Sequence, residues 1–471
     1  MMKRSFLLIM TTVIPLILLS LGTKEASGSD KKNKSSPFNG LKGEVKLITL
    51  DPGHFHAALV QKNNYDQISA QVFVYAPSGS DLNEHLQRIN GYNKRLENPT
   101  HWEEQVYTGD DFLDKMLTEK KGNVVVVSGN NKIKSDYILR SVEAGLNVLA
   151  DKPMVTTSEQ FSILEKAFET AKKKGVLLYD IMTERFSVTT LLQRELSQNP
   201  KIFGSLQPGT NEQPAIEMIS VHYFYKNVSG NILVRPAWFF DVNQQGEGIV
   251  DVTTHLVDLV QWECFPDQIL KKKDVQIIGA KRWPTTFSKE QFTAVTRLES
   301  YPEYLLKDVK DDKLNVYANG EILYKLKGAL AKVTAIWDFK AAEGAGDTHY
   351  AIMRGSMANL EICQGVEEKF DPTLYVEAAK GIDLIGFATE LENAVKALPQ
   401  IGMKLEKITP SKWKLIIPDQ LKIGHEAHFA QVTIKYLEYL KAGKLPEWEV
   451  TNMITKYYTT TSALARAKKE K

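Results

Sequence analysis

The sequence predicts an α/β domain built on a parallel, doubly wound sheet, followed by an α+β domain on a mostly antiparallel open sheet. Three observations predict it. Short apolar strands alternate with helical patterns between residues 43 and 187. One of those strands, 123–128, contains four consecutive valines, the mark of a strand buried on both faces. Past about residue 190 the strand patterns follow one another without regular helices between them.

In the first domain, strands are expected at Val45–Leu50, Gln71–Ala76, Asn123–Ser128, Asn147–Ala150 and Val176–Tyr179. Helices are expected at His54–Lys62, Ile133–Ala144 and Ser158–Lys174. Right-handed crossovers place the loops after the strands along one edge, where ligands bind. The polar segment 79–108 reads as an insertion at that edge, partly helical around Leu82–Arg95. In the second domain, strands are expected at Ala215–Tyr225, Val275–Gly279, Thr293–Leu298, Val333–Phe339 and Asn359–Ile362, with one clear helix at Gly248–Trp262. His425–Leu440 and Val450–Ala467 are helical and expected to pack back on the core. The domain limits are 43–187, 188–424 and 425–471, after a signal at 1–28 and a polar linker at 29–42.

The signal reading rests on Lys3 and Arg4, an apolar run from Phe6 to Leu21, and the small residues Ala26-Ser27-Gly28. The run is about four residues short of a comfortable membrane span. Export to a periplasm is therefore expected, with no stable membrane anchor after cleavage. Lys3-Arg4-Ser5-Phe6-Leu7 also resembles a twin-arginine signal with lysine for its first arginine, which leaves the export route open. The net charge of +2 creates no field for a polyanion, so nucleic acid is not an expected partner. Cys264 and Cys363 form neither a disulfide framework nor a zinc site, and a single bridge between them stays open.

Four places carry chemistry. The first strand ends in Leu50-Asp51-Pro52-Gly53-His54-Phe55-His56-Ala57. A dinucleotide loop wants G-x-G-x-x-G here, and only the middle glycine, Gly53, is present. Asp51 can cap the helix, and His54 and His56 can offer donors to phosphate or simply pack. The second strand ends Tyr75-Ala76-Pro77 without the usual ribose-binding acid, so NAD and NADP cannot be separated. Lys152, fixed before Pro153 at a strand end, points into the binding edge, where burial would lower its pKa and suit it to proton traffic; a surface turn lysine is the alternative. Asp251, His255, Asp258 and Trp262 recur at i, i+4, i+7 and i+11 on an apolar helix. Asp251 can orient the His255 imidazole, His255 can equally be a satisfied core histidine, and no third ligand cluster appears for a metal.

Together these pieces resemble the Gfo/Idh/MocA oxidoreductases. Asp151-Lys152-Pro153 resembles the family's E-K-P, and Gly129-Asn130-Asn131 its T-P-N. Ala144-Gly145-Leu146-Asn147-Val148-Leu149 resembles A-G-K-H-V-L, Arg185-Phe186 matches R-F, and 246–258 resembles G-G-x-L-x-D-x-G-x-H-x-x-D. The resemblance implies a Rossmann-like domain holding NAD or NADP, a second domain covering a sugar or polyol, and a homo-oligomer. It assigns catalysis to Lys152, Asp251 and His255. Cofactor contacts fall on Gly53, His54, Phe55, His56, Ser128, Gly129, Asn130, Asn131, Asp151, Lys152 and Arg185. His222 and Trp238 join the catalytic residues as substrate contacts, and no metal is expected. The implied reaction is hydride transfer at a secondary hydroxyl of a sugar or glycoside, with a 3-keto sugar as one product. His255 is the base in this reading, Asp251 holds its tautomer, and Lys152 stabilises the alkoxide. Two alternatives are a glycosidase using transient oxidation by NAD and a sugar-binding relative without catalysis.

Overall fold

The computed structural model describes residues 38–228, 231–343, 345–399 and 401–470; the signal segment and most of the linker lie outside them. Phe38, read as linker, is buried in the core of the first domain.

The first domain holds β1 (Leu47–Leu50), β2 (Gln71–Tyr75), β3 (Glu103–Tyr107), β4 (Val124–Val127), β5 (Asn147–Asp151) and β6 (Leu178–Ile181). They form a parallel sheet in the order β3-β2-β1-β4-β5-β6. The order reverses between β1 and β4, so the loops leaving these two strands diverge and open a crevice at their carboxyl ends. The four valines of β4 are all buried, as a central parallel strand requires. β3 lies inside the segment read as a partly helical insertion, where no strand was expected. Its sequence, EEQVY, escapes an apolar pattern because it is an edge strand with mostly solvent-facing side chains. The expected helix at 54–62 shrinks to one turn, His56–Leu59.

The second domain is a ten-stranded sheet. Its strands, with a small pair β8 (Asn227–Val228) and β9 (Asn231–Ile232) lying apart, are β7 (Ile216–Tyr225), β10 (Val275–Phe287), β11 (Val309–Lys310), β12 (Lys313–Leu326), β13 (Ala329–Lys340), β14 (Thr348–Arg354), β15 (Ala358–Cys363), β16 (Thr373–Ala378), β17 (Lys404–Lys407) and β18 (Lys412–Ile416). The order is β10-β12-β13-β7-β14-β15-β16-β18-β17, with β11 on β12, and β13 with β7 is its one parallel pair. Residues 293–298, read as a strand, instead end the helix Lys289–Thr296. Ser288 and Gln291 cap it reciprocally, a local signal that outweighs the β-branched composition. The helix expected from Gly248 begins only at Thr253 and runs to Cys264, after irregular turns. Cys264 and Cys363 are free thiols.

The chain end ties the domains together. Phe429, Val432 and Tyr436 of the helix His425–Ala442 enter the first core. The helix Glu447–Ala467 places Met453 and Tyr457 in the first core and Ala463 and Leu464 in the second. Beneath it runs a buried ion network. Lys456 Nζ lies 2.7 Å from Asp180 and 2.8 Å from Asp258, while Arg185 holds Asp258 at 2.6 Å and Glu449 at 2.9 Å. Each charge is paired, which is what allows such groups to remain in a core. Arg185, expected on the cofactor, is thus a structural residue joining β6, the central helix and the terminal helix.

Candidate active site

The carboxyl edge of the first sheet faces the second sheet across a cavity of about 790 Å³. Seven of the chain's nine histidines line it: His54, His56, His222, His255, His349, His425 and His428. A second cavity of about 500 Å³ lies over the β1 and β2 loops. The two share His54, Phe55, Arg235 and Phe239, so they adjoin along the crevice.

Lys152 leaves β5 and enters the larger cavity. Its Nζ donates to Asp251 Oδ1 at 2.8 Å, and Gln245 Nε2 donates to Asp251 Oδ2 at 3.2 Å. Burial would raise the Asp251 pKa, but Lys152 outweighs it and holds the carboxylate below its ordinary value. Behind the turn, Lys134 Nζ donates to the carbonyls of Asp151 and Pro153 at 3.1 Å, fixing the strand exit. Asp251 was expected to orient His255, and this is corrected: Asp251 faces Lys152, while His255 Nδ1 is buried without a hydrogen-bond partner. Asp251 lies in the turn that leads into the helix at Thr253. Burial first, then Lys152, pushes the His255 pKa well below its ordinary value, so the imidazole is neutral at pH 7.

The degraded glycine loop has its own geometry. Asp51 takes a left-handed φ of 46°. It accepts a hydrogen bond from Tyr137 at 3.0 Å and does not cap the helix. The N–H groups of Gly53 and His54 both donate to Ser128 O at 3.2 Å, so they are withdrawn from phosphate binding. Gly129 must lack a side chain, since a Cβ there would stand 2.2 Å from Asp51 O. Asn130 and Asn131 reach across the domains instead, donating to Gln244 Oε1 at 2.8 Å and Gln245 O at 2.6 Å. His54 and His56 both turn their Nδ1 atoms to Asp151, at 3.2 and 3.1 Å. Burial holds both imidazoles neutral; it would also raise the Asp151 pKa, but the electrostatic pull of His56 first, then of His54, outweighs it, and Asp151 stays ionised.

Of the expected substrate contacts, His222 lines the larger cavity. Its Nε2 lies 2.8 Å from Ser220 Oγ and its Nδ1 2.9 Å from Asp347, which also accepts from Lys226 at 2.6 Å. Trp238 does not join it. It lines the smaller cavity, where its Nε1 donates to Asp81 Oδ2 at 2.8 Å. Three site residues escaped sequence reasoning. Asp81 stands beyond the strand end where an acid was sought, Asp347 lies far along the chain with no motif, and Arg235 looks like an ordinary surface arginine. Arg235 is buried between the two cavities, held by the carbonyls of Phe224 and Tyr223 and stacked 4.4 Å from the Phe239 ring.

The site can receive a dinucleotide. A Cβ on Gly53 would stand 3.0 Å from Asp81 and 3.1 Å from Trp238, so the smaller cavity depends on that glycine. The acidic Asp81 sits at the first turn of the helix Ser80–Lys94, the side on which a ribose would lie.

Two family models match the chain. One, "Putative oxidoreductase C terminal domain", matches residues 192–468, and the other, "Oxidoreductase family, NAD-binding Rossmann fold", matches 65–180. A crystal structure of a "putative oxidoreductase" from Parabacteroides merdae is 55% identical, with a TM-score of 0.90 over 92% of this chain and 100% of its own. A levoglucosan dehydrogenase in complex with NADH and levoglucosan, 12% identical, shares the fold with a TM-score of 0.57 over 91% of this chain and 98% of its own. D-glucoside 3-dehydrogenase of Escherichia coli is 27% identical over 38% of this chain, and the chain spans about half, 49%, of that relative's length. With its Rossmann domain, its C-terminal sheet domain and these matches, the chain belongs to the Gfo/Idh/MocA family of NAD-binding oxidoreductases.

Proposed function

We propose that the chain oxidises or reduces a secondary hydroxyl of a sugar or glycoside, with a 3-keto sugar as one product. The observation that carries this reading is the Lys152–Asp251 pair at 2.8 Å, set with neutral His255 in the wall of a cavity with ample room for a sugar. The names of two relatives, a glucoside 3-dehydrogenase and a levoglucosan dehydrogenase, support the substrate class.

A nicotinamide held here would supply the hydride chemistry, giving or taking a hydride at the substrate carbon. Gly53, Phe55 and Asp81 would hold the dinucleotide, and Asp81 favours NAD because its carboxylate repels a 2′-phosphate. Carbon loses hydride only as its hydroxyl loses a proton. His255, kept neutral by burial, takes that proton. The Lys152 ammonium donates to the same oxygen and stabilises its developing charge, a contribution of about 10² in rate. Asp251 positions Lys152, and Gln245 positions Asp251. The basic, apolar N-terminal segment supports export to a periplasm, and homo-oligomer formation remains part of the proposal.

The test is to purify the chain, assay bound and added NAD and NADP, and incubate with a panel of glycosides. A keto product formed with stoichiometric cofactor reduction is the expected result. Absence of any nicotinamide binding would overturn the reading, and free sugar without net redox would replace it with the transient-oxidation glycosidase.

A further inference from the structure

Two histidines stand in the loop where a dinucleotide-binding turn would carry glycine and small residues, and both face one carboxylate. One donor atom from each of His54, His56 and Asp151 lies within 4.8 Å of the other two, the only such group of three found among the described residues. Each Nδ1 is 3.1–3.2 Å from Asp151 Oδ2. Those separations are close to the edge of a tetrahedron around an ion with ligand distances of about 2.0–2.1 Å, an edge of roughly 3.3–3.4 Å.

A hydrogen-bonded cluster accounts less well for the arrangement. Asp151 Oδ2 already accepts from Ser128 Oγ at 2.9 Å and from His56. His54 Nδ1, buried at 3.2 Å from the same oxygen, forms no hydrogen bond of acceptable direction. A lone pair on that nitrogen, directed at a cation, would leave nothing orphaned. The supporting groups are those a metal site uses. Ser128 orients the carboxylate, and Lys134 pins the backbone of the same aspartate. Asp151 ends β5, His56 opens the one-turn helix and His54 stands in the short loop that joins β1 to it.

We infer that His54, His56 and Asp151 bind one divalent transition-metal ion of the zinc class, with its remaining position open to the cavity that holds Lys152 and His255. Two imidazoles and one carboxylate suit such an ion better than magnesium or calcium, which prefer all-oxygen sites. Three protein ligands with an open position is the arrangement of an ion that meets a substrate oxygen or water, not of a closed structural site. The inference goes beyond the proposed redox reaction and needs no turnover to be tested.

The experiment uses the full chain freed of any histidine tag, stripped with chelator and titrated with zinc chloride by calorimetry. About one equivalent should bind, and His56→Ala and Asp151→Asn should each weaken binding by about a hundredfold. His101→Ala, at an exposed position, should leave the titration unchanged. Cobalt(II) added to the stripped wild-type chain should give the intense visible bands of a four-coordinate site, a readout independent of variant folding. Absence of saturable zinc binding and of those bands would overturn the inference. Undiminished affinity in a folded His54→Ala/His56→Ala double variant would overturn it as well.

Discussion

Lys152 Nζ lies 2.8 Å from Asp251 Oδ1, so one ion pair joins the end of a parallel strand to the turn before the central helix of the second domain. Both side chains are buried, at 10% and 8% exposure, and they face the cavity as a unit. Lys152→Met should lower kcat by about 10²–10³. It should also destabilise the chain, because it leaves Asp251 charged and buried; the cost of an unpaired buried charge is about 3–5 kcal/mol. Adding Asp251→Leu should restore thermal stability without restoring turnover. Recovery of turnover in the double variant would remove Lys152 from the chemistry.

The network under the terminal helix predicts a separation of stability from binding. Lys456 is fully buried between Asp180 and Asp258. Lys456→Met should cost about 3 kcal/mol or more, read as a lowered urea midpoint. NADH affinity in the folded fraction should not change. Arg185→Met should behave alike, and a selective loss of NADH affinity there would return Arg185 to the cofactor site.

Glu104 on the edge strand β3 gives a pH dependence. Burial pushes its carboxyl up to about 7, against one hydrogen bond from Gln61. A raised folded-state pKa means stability that is fully present below about pH 4.5 and lost as pH rises through about 7. Glu104→Gln should therefore raise the melting temperature at pH 8, by the equivalent of about 1–2 kcal/mol after allowance for solvent. Near pH 4 the two proteins should differ little. Equal stability at pH 8 would show that the site relaxes to hydrate the charge.

In the proposed reaction Asp81 is expected to set cofactor choice. Its carboxylate lines the smaller cavity and is fixed by Trp238 Nε1 at 2.8 Å. Asp81→Ser should raise the NADP-to-NAD preference by about tenfold, equivalent to ~1.4 kcal/mol. Fluorescence titration with NADH and NADPH measures this directly. An unchanged ratio would place the ribose elsewhere.

Much of this protein was legible in the linear chain. The valines of β4 announced a central parallel strand, because burial on both faces leaves no polar alternation. Lys152, Asp251 and His255 line one cavity, and of the three only Lys152 stands there as a strand end of the doubly wound sheet. β3 and the helix Lys289–Thr296 were misread for opposite reasons. An edge strand has no apolar pattern to show, and a capping box decides a short helix over its composition.

Partnership was what the sequence left undecided. Its spacing paired Asp251 with His255, but the Asp251 carboxylate turns to Lys152 and leaves His255 Nδ1 without a hydrogen-bond partner. The freed carboxylate meets Lys152, from 99 residues away, because the closing of two domains brings opposite charges out of water together. Arg185 likewise left the cofactor edge for Asp258 and Glu449, since a guanidinium buried beneath a terminal helix must find carboxylates there. The residue types and the strand ends that carry them are properties of the sequence. Which charge meets which is decided by desolvation, and desolvation exists only once the second sheet and the terminal helices have closed over the first.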